Sequence, residues 1–179
     1  IEVDILDEGK WKKILFSGDI GRLKSHIINT FDKNYKSEPD YILMESLYGG
    51  VIHPDRDEAA IELIKIIGET VKNRGNVFIP CFAVQRTQEV LNDIKFSKET
   101  GRLAKEVPVW LESPLAQRVT NIYIQALQNS KRNLFDFPNL KYVRKYRQSV
   151  GLTQQQGNVI MAGSGMADGG RIQEHLSKG

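Results

Sequence analysis

The chain has 179 residues, 40% of them hydrophobic, with 25 basic against 22 acidic side chains and a formal net charge of +3; this suits one domain, or a domain with an appendage, that can bury an ordinary core. So mild a charge does not by itself point to nucleic-acid binding, and permits it where the basic residues gather on one face. The single cysteine, Cys81, excludes an internal disulfide framework and a cysteine metal cluster, and no apolar run approaches the roughly 18–20 residues of a membrane span. Ile1–Leu6 and Lys12–Phe16 alternate apolar and polar residues around Asp7-Glu8-Gly9, the pattern of a β-hairpin. Residues 22–40 read as irregular, with a helical turn near Ile27 and Ile28. Tyr41–Met44 is a short apolar run, expected to be a buried strand. Asp57–Val71 carries Ala60, Leu63, Ile64, Ile67 and Val71 at helical spacing. Asn76–Ile79 is the next strand, stopped by Pro80, and Val84–Ile94 the next helix. Val107–Leu111 is a strand, followed by a helix over Leu115–Leu127 and a loop over 129–140. Ser149–Gly157 reads as a loop, Asn158–Ala162 as a strand, and Gly170–Leu176 opens a helix.

Strand and helix thus alternate at least three times, which predicts an α/β fold: a mostly parallel, Rossmann-like sheet flanked by helices, preceded by a small hairpin. The strand runs lack strict alternation, as strands covered on both faces do. A boundary is expected around Gly21–Pro39. The chain opens on Ile1 without a basic-then-apolar leader. The expectation is therefore an excised piece or a processed product in a reducing, cytoplasmic setting.

The residues able to carry chemistry sit at the expected strand ends. Asp19, after Phe16-Ser17-Gly18, is a carboxylate on rigid backbone that can ligate or bridge cations; the plainer reading is a turn residue. Glu45 repeats the arrangement at the next strand tip, with His53 beyond it; the plainer readings are a solvated strand end and a loop histidine. Gly163-Ser164-Gly165-Met166-Ala167-Asp168-Gly169-Gly170 joins a strand to a helix, so its backbone N–H groups, with Ser164, Gly165 and Gly169, can approach a phosphate. It is neither a Walker motif nor G-x-G-x-x-G, and a tight connecting turn is equally compatible. His175, a turn and a half into the helix, can point back toward that turn as a hydrogen-bond donor or general acid or base. Arg86 can pair with a phosphate, or form a structural salt bridge with Glu45 or Glu112. Lys141, Arg144, Lys145 and Arg147, interleaved with Tyr142 and Tyr146, are either a solvated surface or a phosphate-tracking patch.

The order of these segments resembles the β-CASP branch of the metallo-β-lactamase-fold nucleases, the RNA-processing, mRNA 3′-end-processing-like branch in particular. Ser17-Gly18-Asp19 is similar to the fourth metallo-β-lactamase motif. Glu45-Ser46-Leu47-Tyr48-Gly49 with His53 resembles E-S-T-Y-G-x-x-x-H, with Leu47 for threonine. Ile79–Glu89 resembles I-P-A-F-A-x-x-R-x-Q-E, with Cys81 at an alanine position, hence a small core residue. Glu112-Ser113-Pro114-Leu115-Ala116 resembles D-S-P-M-A with Glu for Asp, and Ser164–Arg171 resembles S-G-M-x-x-G-G-R. The matches run from about residue 14 to 176.

The resemblance implies a nuclease that hydrolyses phosphodiester bonds of single-stranded RNA with two zinc ions. Asp19 would bridge the metals, Glu45 would fix and tune a nearby histidine, and His175 would bind the phosphate or protonate the leaving oxygen as the motif B histidine. Ser164, Gly165 and Gly169, with Arg86 and His53, would hold substrate. Residues 1–21 would be the edge of the metallo-β-lactamase domain, 22–163 the β-CASP domain, and 164–179 the phosphate turn and motif B helix. The family's H-x-H-x-D-H cluster and motif C histidine have no counterpart among His26, His53 and His175. The expected partner is therefore the remaining metallo-β-lactamase half, and the isolated chain is expected to hold no zinc stably and to cleave nothing. A homodimer is left open. A DNA-processing nuclease of the same family, a non-catalytic nucleotide- or RNA-binding α/β module, and a purely structural or oligomerisation domain are the alternatives.

Overall fold

The computed structural model describes residues 1–21, 25–29, 37–127 and 134–178, and the chain divides into two units, Ile1–Pro54 and Asp55–Gly179. The first is a three-stranded sheet in the order β1-β2-β3, formed by β1 (Glu2–Asp7), β2 (Lys10–Phe16) and β3 (Tyr41–Leu43). β1 and β2 are antiparallel, with Asp7 opposite Lys10. The two connecting residues both have positive φ, Glu8 at 47° and Gly9 at 77°, as the hairpin turn that matches strand twist requires. β3 pairs with β2 in parallel. This pairing keeps residues up to Pro54 with the hairpin, so the structural division falls later than the boundary expected near Gly21–Pro39. Residues 25–29 show bends and no helix, and the rest of the irregular stretch lies partly outside the described residues.

The expectation of a buried β3 is corrected: Tyr41, Ile42 and Leu43 are all more than half exposed. Three strands cannot cover their own faces, and the apolar character of this run reflects a surface in want of a cover.

The second unit opens with α1 (Arg56–Lys72), whose N-cap Asp55 accepts from the N–H groups of Asp57 and Glu58 at 2.8 and 3.2 Å. There follow β4 (Val77–Pro80), α2 (Arg86–Glu99), β5 (Val109–Leu111), α3 (Pro114–Leu127), β6 (Leu140–Tyr142), α4 (Tyr146–Leu152), β7 (Val159–Ala162) and α5 (Arg171–Lys178). The four strands form one all-parallel sheet in the order β4-β7-β5-β6, flanked by helices, so the α/β class holds. β6 and the start of α4 fall in the basic–aromatic stretch, to which the sequence assigned no element, and α4 runs on to Leu152, into the expected loop over Ser149–Gly157. β7 is buried along its whole length, as a strand covered on both faces must be. Val143, Leu152 and Ile160 form a core cluster against Phe78 and Trp110. After β6 the chain turns back across the sheet and inserts β7 between β4 and β5. The turns leaving these three strands therefore converge at their carboxyl ends, where open parallel sheets place their ligands. Among the described residues, no helix is long and apolar enough to cross a membrane.

Away from that edge, Lys98 of α2 is buried, and its ammonium donates to three carbonyls: Val107 at 2.6 Å, Pro138 at 3.0 Å and Lys105 at 3.1 Å. Burial lowers its pKa to about 8, with Glu106 acting in the opposite direction. Its three N–H groups bridge the α2–β5 connection to the segment before β6. Lys98→Met in the complete protein is expected to cost about 1–3 kcal/mol, because the Val107 carbonyl loses its donor in a buried bond, whereas the Lys105 carbonyl keeps Asn139 Nδ2 at 3.1 Å. Denaturant unfolding measures this, and an unchanged midpoint would show that the carbonyls find other partners.

Candidate functional site

In the first unit, the tip of β2 and the turn after β3 are tied together. Ser17 N–H donates to the Leu43 carbonyl at 2.9 Å, and Glu45 N–H donates to Ser17 Oγ at 3.0 Å. The Glu45 carboxylate accepts from Ile20 N–H at 3.3 Å through one oxygen and from Leu47 N–H at 3.0 Å through the other. Glu45 thus holds the backbone on the far side of Asp19, while Gly18, at φ +60°, makes the bend on the near side. Asp19 itself is exposed. His53 lies edge-on to Tyr48, with ring centroids 4.6 Å apart. Among the described residues no group of three or more His, Cys, Asp or Glu side chains converges as a metal cage. The described residues do not by themselves fit a two-metal centre.

In the second unit a cleft of about 390 Å³ opens where β4, β5 and β7 end. The turn after β4 supplies Cys81, Phe82 and Ala83, that after β5 Glu112 to Leu115, and that after β7 Gly163, Ser164, Gly165, Gly170 and Arg171. The I-P-C-F-A segment is shaped by the residues that follow it. Thr87 Oγ1 donates to the Phe82 carbonyl at 2.7 Å, and Gln88 Nε2 donates to the Ala83 carbonyl at 3.1 Å. Phe82 is left more than half exposed at the rim. Burial raises the Cys81 thiol to about 11, against the pull of Arg86 and Thr87, in keeping with a small core side chain and not a nucleophile. Ser113 Oγ accepts from Ala116 N–H at 3.1 Å and caps α3, with Pro114 at its first position.

The turn after β7 is closed on itself. Ser164 N–H donates to the Gly169 carbonyl at 3.0 Å, Ala167 N–H to the Ser164 carbonyl at 3.1 Å, and Ile172 N–H to the Gly163 carbonyl at 3.1 Å. The Ser164 hydroxyl donates to the Asp168 carboxylate and accepts from Met166 N–H at 3.3 Å. It is therefore engaged within the turn and not held free for an anion. At Gly165 a Cβ would fall 2.7 Å from the Phe82 ring, so the bare backbone lets the ring lie against the turn.

Two sequence expectations are corrected here. Within the second unit Arg86 does not pair with Glu112; its guanidinium meets Glu89 one helical turn on, at 3.4 Å, and is about half exposed. His175 does not point back to the phosphate turn. It is buried, with Nε2 2.9 Å from a Glu112 carboxylate oxygen, because the apolar face of α5 packs inward with Ile172 and carries the imidazole with it. Sequence reasoning also passed over Phe82, Arg171, Asp168 and Ser149, although Arg171 and His175 stand four apart, a spacing that puts them on one helix face. In the basic–aromatic stretch, Lys141 Nζ lies 4.7 Å over the Trp110 ring, and Tyr146 Oη donates to Glu174 at 2.9 Å. Arg144, Lys145 and Arg147 are exposed.

A sequence profile of the Beta-Casp domain matches residues 87–179. The chain is 31% identical to Ribonuclease TTHA0252 of Thermus thermophilus over 98% of its own length and 42% of that protein. It is 30% identical to Probable RNase MJ4 of Methanocaldococcus jannaschii, over 92% of the chain and 39% of that protein. It is 29% identical to Endoribonuclease ysh1 of Schizosaccharomyces pombe, over 88% of the chain and 21% of that protein. The chain therefore spans about two fifths of the two prokaryotic relatives and about a fifth of the yeast one.

Proposed function

The chain belongs to the β-CASP family, and from that footing we propose that it is part of a ribonuclease of RNA processing or decay, which hydrolyses phosphodiester bonds of single-stranded RNA. The observation that carries the reading is the cleft at the ends of β4, β5 and β7, which offers two chemistries side by side. Phe82 and Leu115 supply exposed apolar surface, on which a base can lie. The glycine turn, against which the Phe82 ring lies at Gly165, and Arg171 line the same cleft and are suited to a phosphate. Asp168 tempers this, because its carboxylate occupies the Ser164 hydroxyl; a phosphate would rely on Arg171 and the backbone of the turn. The names of the three relatives, each a ribonuclease, support RNA as the substrate.

Zinc ions, in this reading, would be held chiefly by residues outside the chain, with Asp19 contributing a single carboxylate. The exposed apolar side chains of the first unit, among them Leu6, Trp11 and Met44, suit a sheet that the remaining metallo-β-lactamase half would cover.

The test is incubation of the complete protein and of the isolated chain with end-labelled single-stranded RNA and DNA, with metal analysis of both preparations. We expect the complete protein to cut RNA and to contain zinc, and the isolated chain to do neither. Cleavage of DNA in preference to RNA would move the protein to the DNA-processing branch. RNA retained but uncut by the complete protein would make the cleft a binding module.

A further inference from the structure

Helix α5 grips one residue of the sheet twice. Glu112, at the carboxyl end of β5, is completely buried, and His175 is 1% exposed. One carboxylate oxygen of Glu112 meets His175 Nε2 at 2.9 Å and accepts from Ser149 Oγ of α4, also at 2.9 Å. The main-chain carbonyl of the same residue accepts from Arg171 Nη1 at 3.2 Å. Phe78 of β4 stacks on the imidazole, centroids 5.5 Å apart and planes 16° apart. Elements α4, α5, β4 and β5 thus meet around one carboxylate, directly behind the cleft wall.

The arrangement is costly as mere packing. Among the described residues, the other Glu112 oxygen and His175 Nδ1 are buried with no hydrogen-bond partner. Apolar side chains of similar size would avoid that desolvation. What the polar pair supplies that apolar packing does not is direction: a bond of fixed length between α5 and the tip of β5. Arg171, on the same face of α5 four residues earlier, is then aimed at the cleft from a fixed anchor.

We propose that His175 is a positioning residue: through Glu112 it sets where Arg171 presents its guanidinium to the cleft, and with it the cleft's affinity for a nucleotide phosphate. The affinity clause rests on the nucleotide-binding reading above; the positional clause does not. The imidazole acts on binding and carries no proton to or from the substrate.

The complete protein is compared with its His175→Leu and His175→Gln variants. Glutamine can place an amide N–H where the imidazole Nε2–H stands and lacks the orphaned Nδ1. With ¹⁵N-labelled arginine, and the Arg171 side-chain signal assigned by Arg171→Lys, the leucine variant is expected to shift that signal and the glutamine variant to restore it. The dissociation constant for a 5′-phosphorylated single-stranded RNA oligomer should rise about tenfold in the leucine variant, the scale of one lost charge-assisted bond, and about twofold or less in the glutamine variant. The turnover number should change little in either. An unmoved Arg171 signal in the leucine variant overturns the proposal. So does a glutamine variant whose turnover falls about 100-fold with loss of one limb of the pH profile, since that marks an acid–base group. If the wild type binds no RNA oligomer, the nucleotide reading fails with the affinity clause, and the Arg171 signal still decides the positional one.

Discussion

Replacing Asp19 by alanine in the complete protein is expected to lower RNA cleavage by about 10³-fold or more, the range seen when a group at the reacting centre is removed, with the melting temperature held within about 2 °C. The second half of this expectation comes from how the turn is built. Ser17 is bonded to the Leu43 carbonyl and to Glu45 N–H, and Ile20 N–H to the Glu45 carboxylate. The bend falls at Gly18. None of these bonds uses the Asp19 carboxylate, which is exposed at the apex. The surrounding residues hold it out, and its removal takes nothing from the scaffold. The fold is therefore expected to survive the loss of this carboxylate, and any effect of the substitution is expected in cleavage alone. Parallel cleavage and thermal-melting assays decide it: activity retained in a folded Asp19→Ala protein would reduce the residue to turn chemistry.

What could be read from the sequence follows the range of the forces involved. The β1–β2 hairpin was legible because its turn is local: Glu8 and Gly9 take the two positive φ angles themselves. Helix α1 was legible for the same reason, since its cap, Asp55, is contiguous with it. The α/β class was legible in the alternation of apolar runs with helical spacing. The strand order β4-β7-β5-β6 was not, because the runs VFIP, VWL and VIMA are alike in character and nothing in them specifies a neighbour. β6 and α4 were too short and too charged to show periodicity, and the order of α4 depends on burying Ser149 and Leu152. At the site, the glycine turn was visible as a pattern and its placement at a strand end was as expected. The direction of His175 was not, because it is fixed by Glu112, 63 residues away in the chain. The exposure of β3 is not legible on the same ground: an apolar run reports a need for cover, and the partner that provides it is not encoded in the run.

Gly170→Ala is expected to destabilise the complete protein by about 3 kcal/mol and to abolish measurable binding of a phosphorylated RNA oligomer, whereas Gly169→Ala, one residue earlier, is expected to stay within about 1 kcal/mol of wild type. Gly170 has φ +74°, where a side chain costs about 1–2 kcal/mol in backbone strain alone. A Cβ there would also stand 2.5 Å from the Gly163 carbonyl oxygen and 2.9 Å from its carbon. These are main-chain atoms at the end of β7, and no rotamer change relieves the clash. The same carbonyl accepts from Ile172 N–H at the start of α5. Pushing it aside disturbs the first turn of that helix, and with it Arg171, whose bond to the Glu112 carbonyl fixes its place on the cleft wall. At Gly169 an added Cβ meets nothing within 4 Å, so the two adjacent glycines answer different demands, conformational and steric at 170 and neither at 169. Denaturant unfolding with oligomer binding on both variants separates them. If Gly170→Ala matched the wild type in both measurements, the turn would have a second conformation that seats a side chain, and the close approach of Gly170 to Gly163 would not be what shapes the cleft.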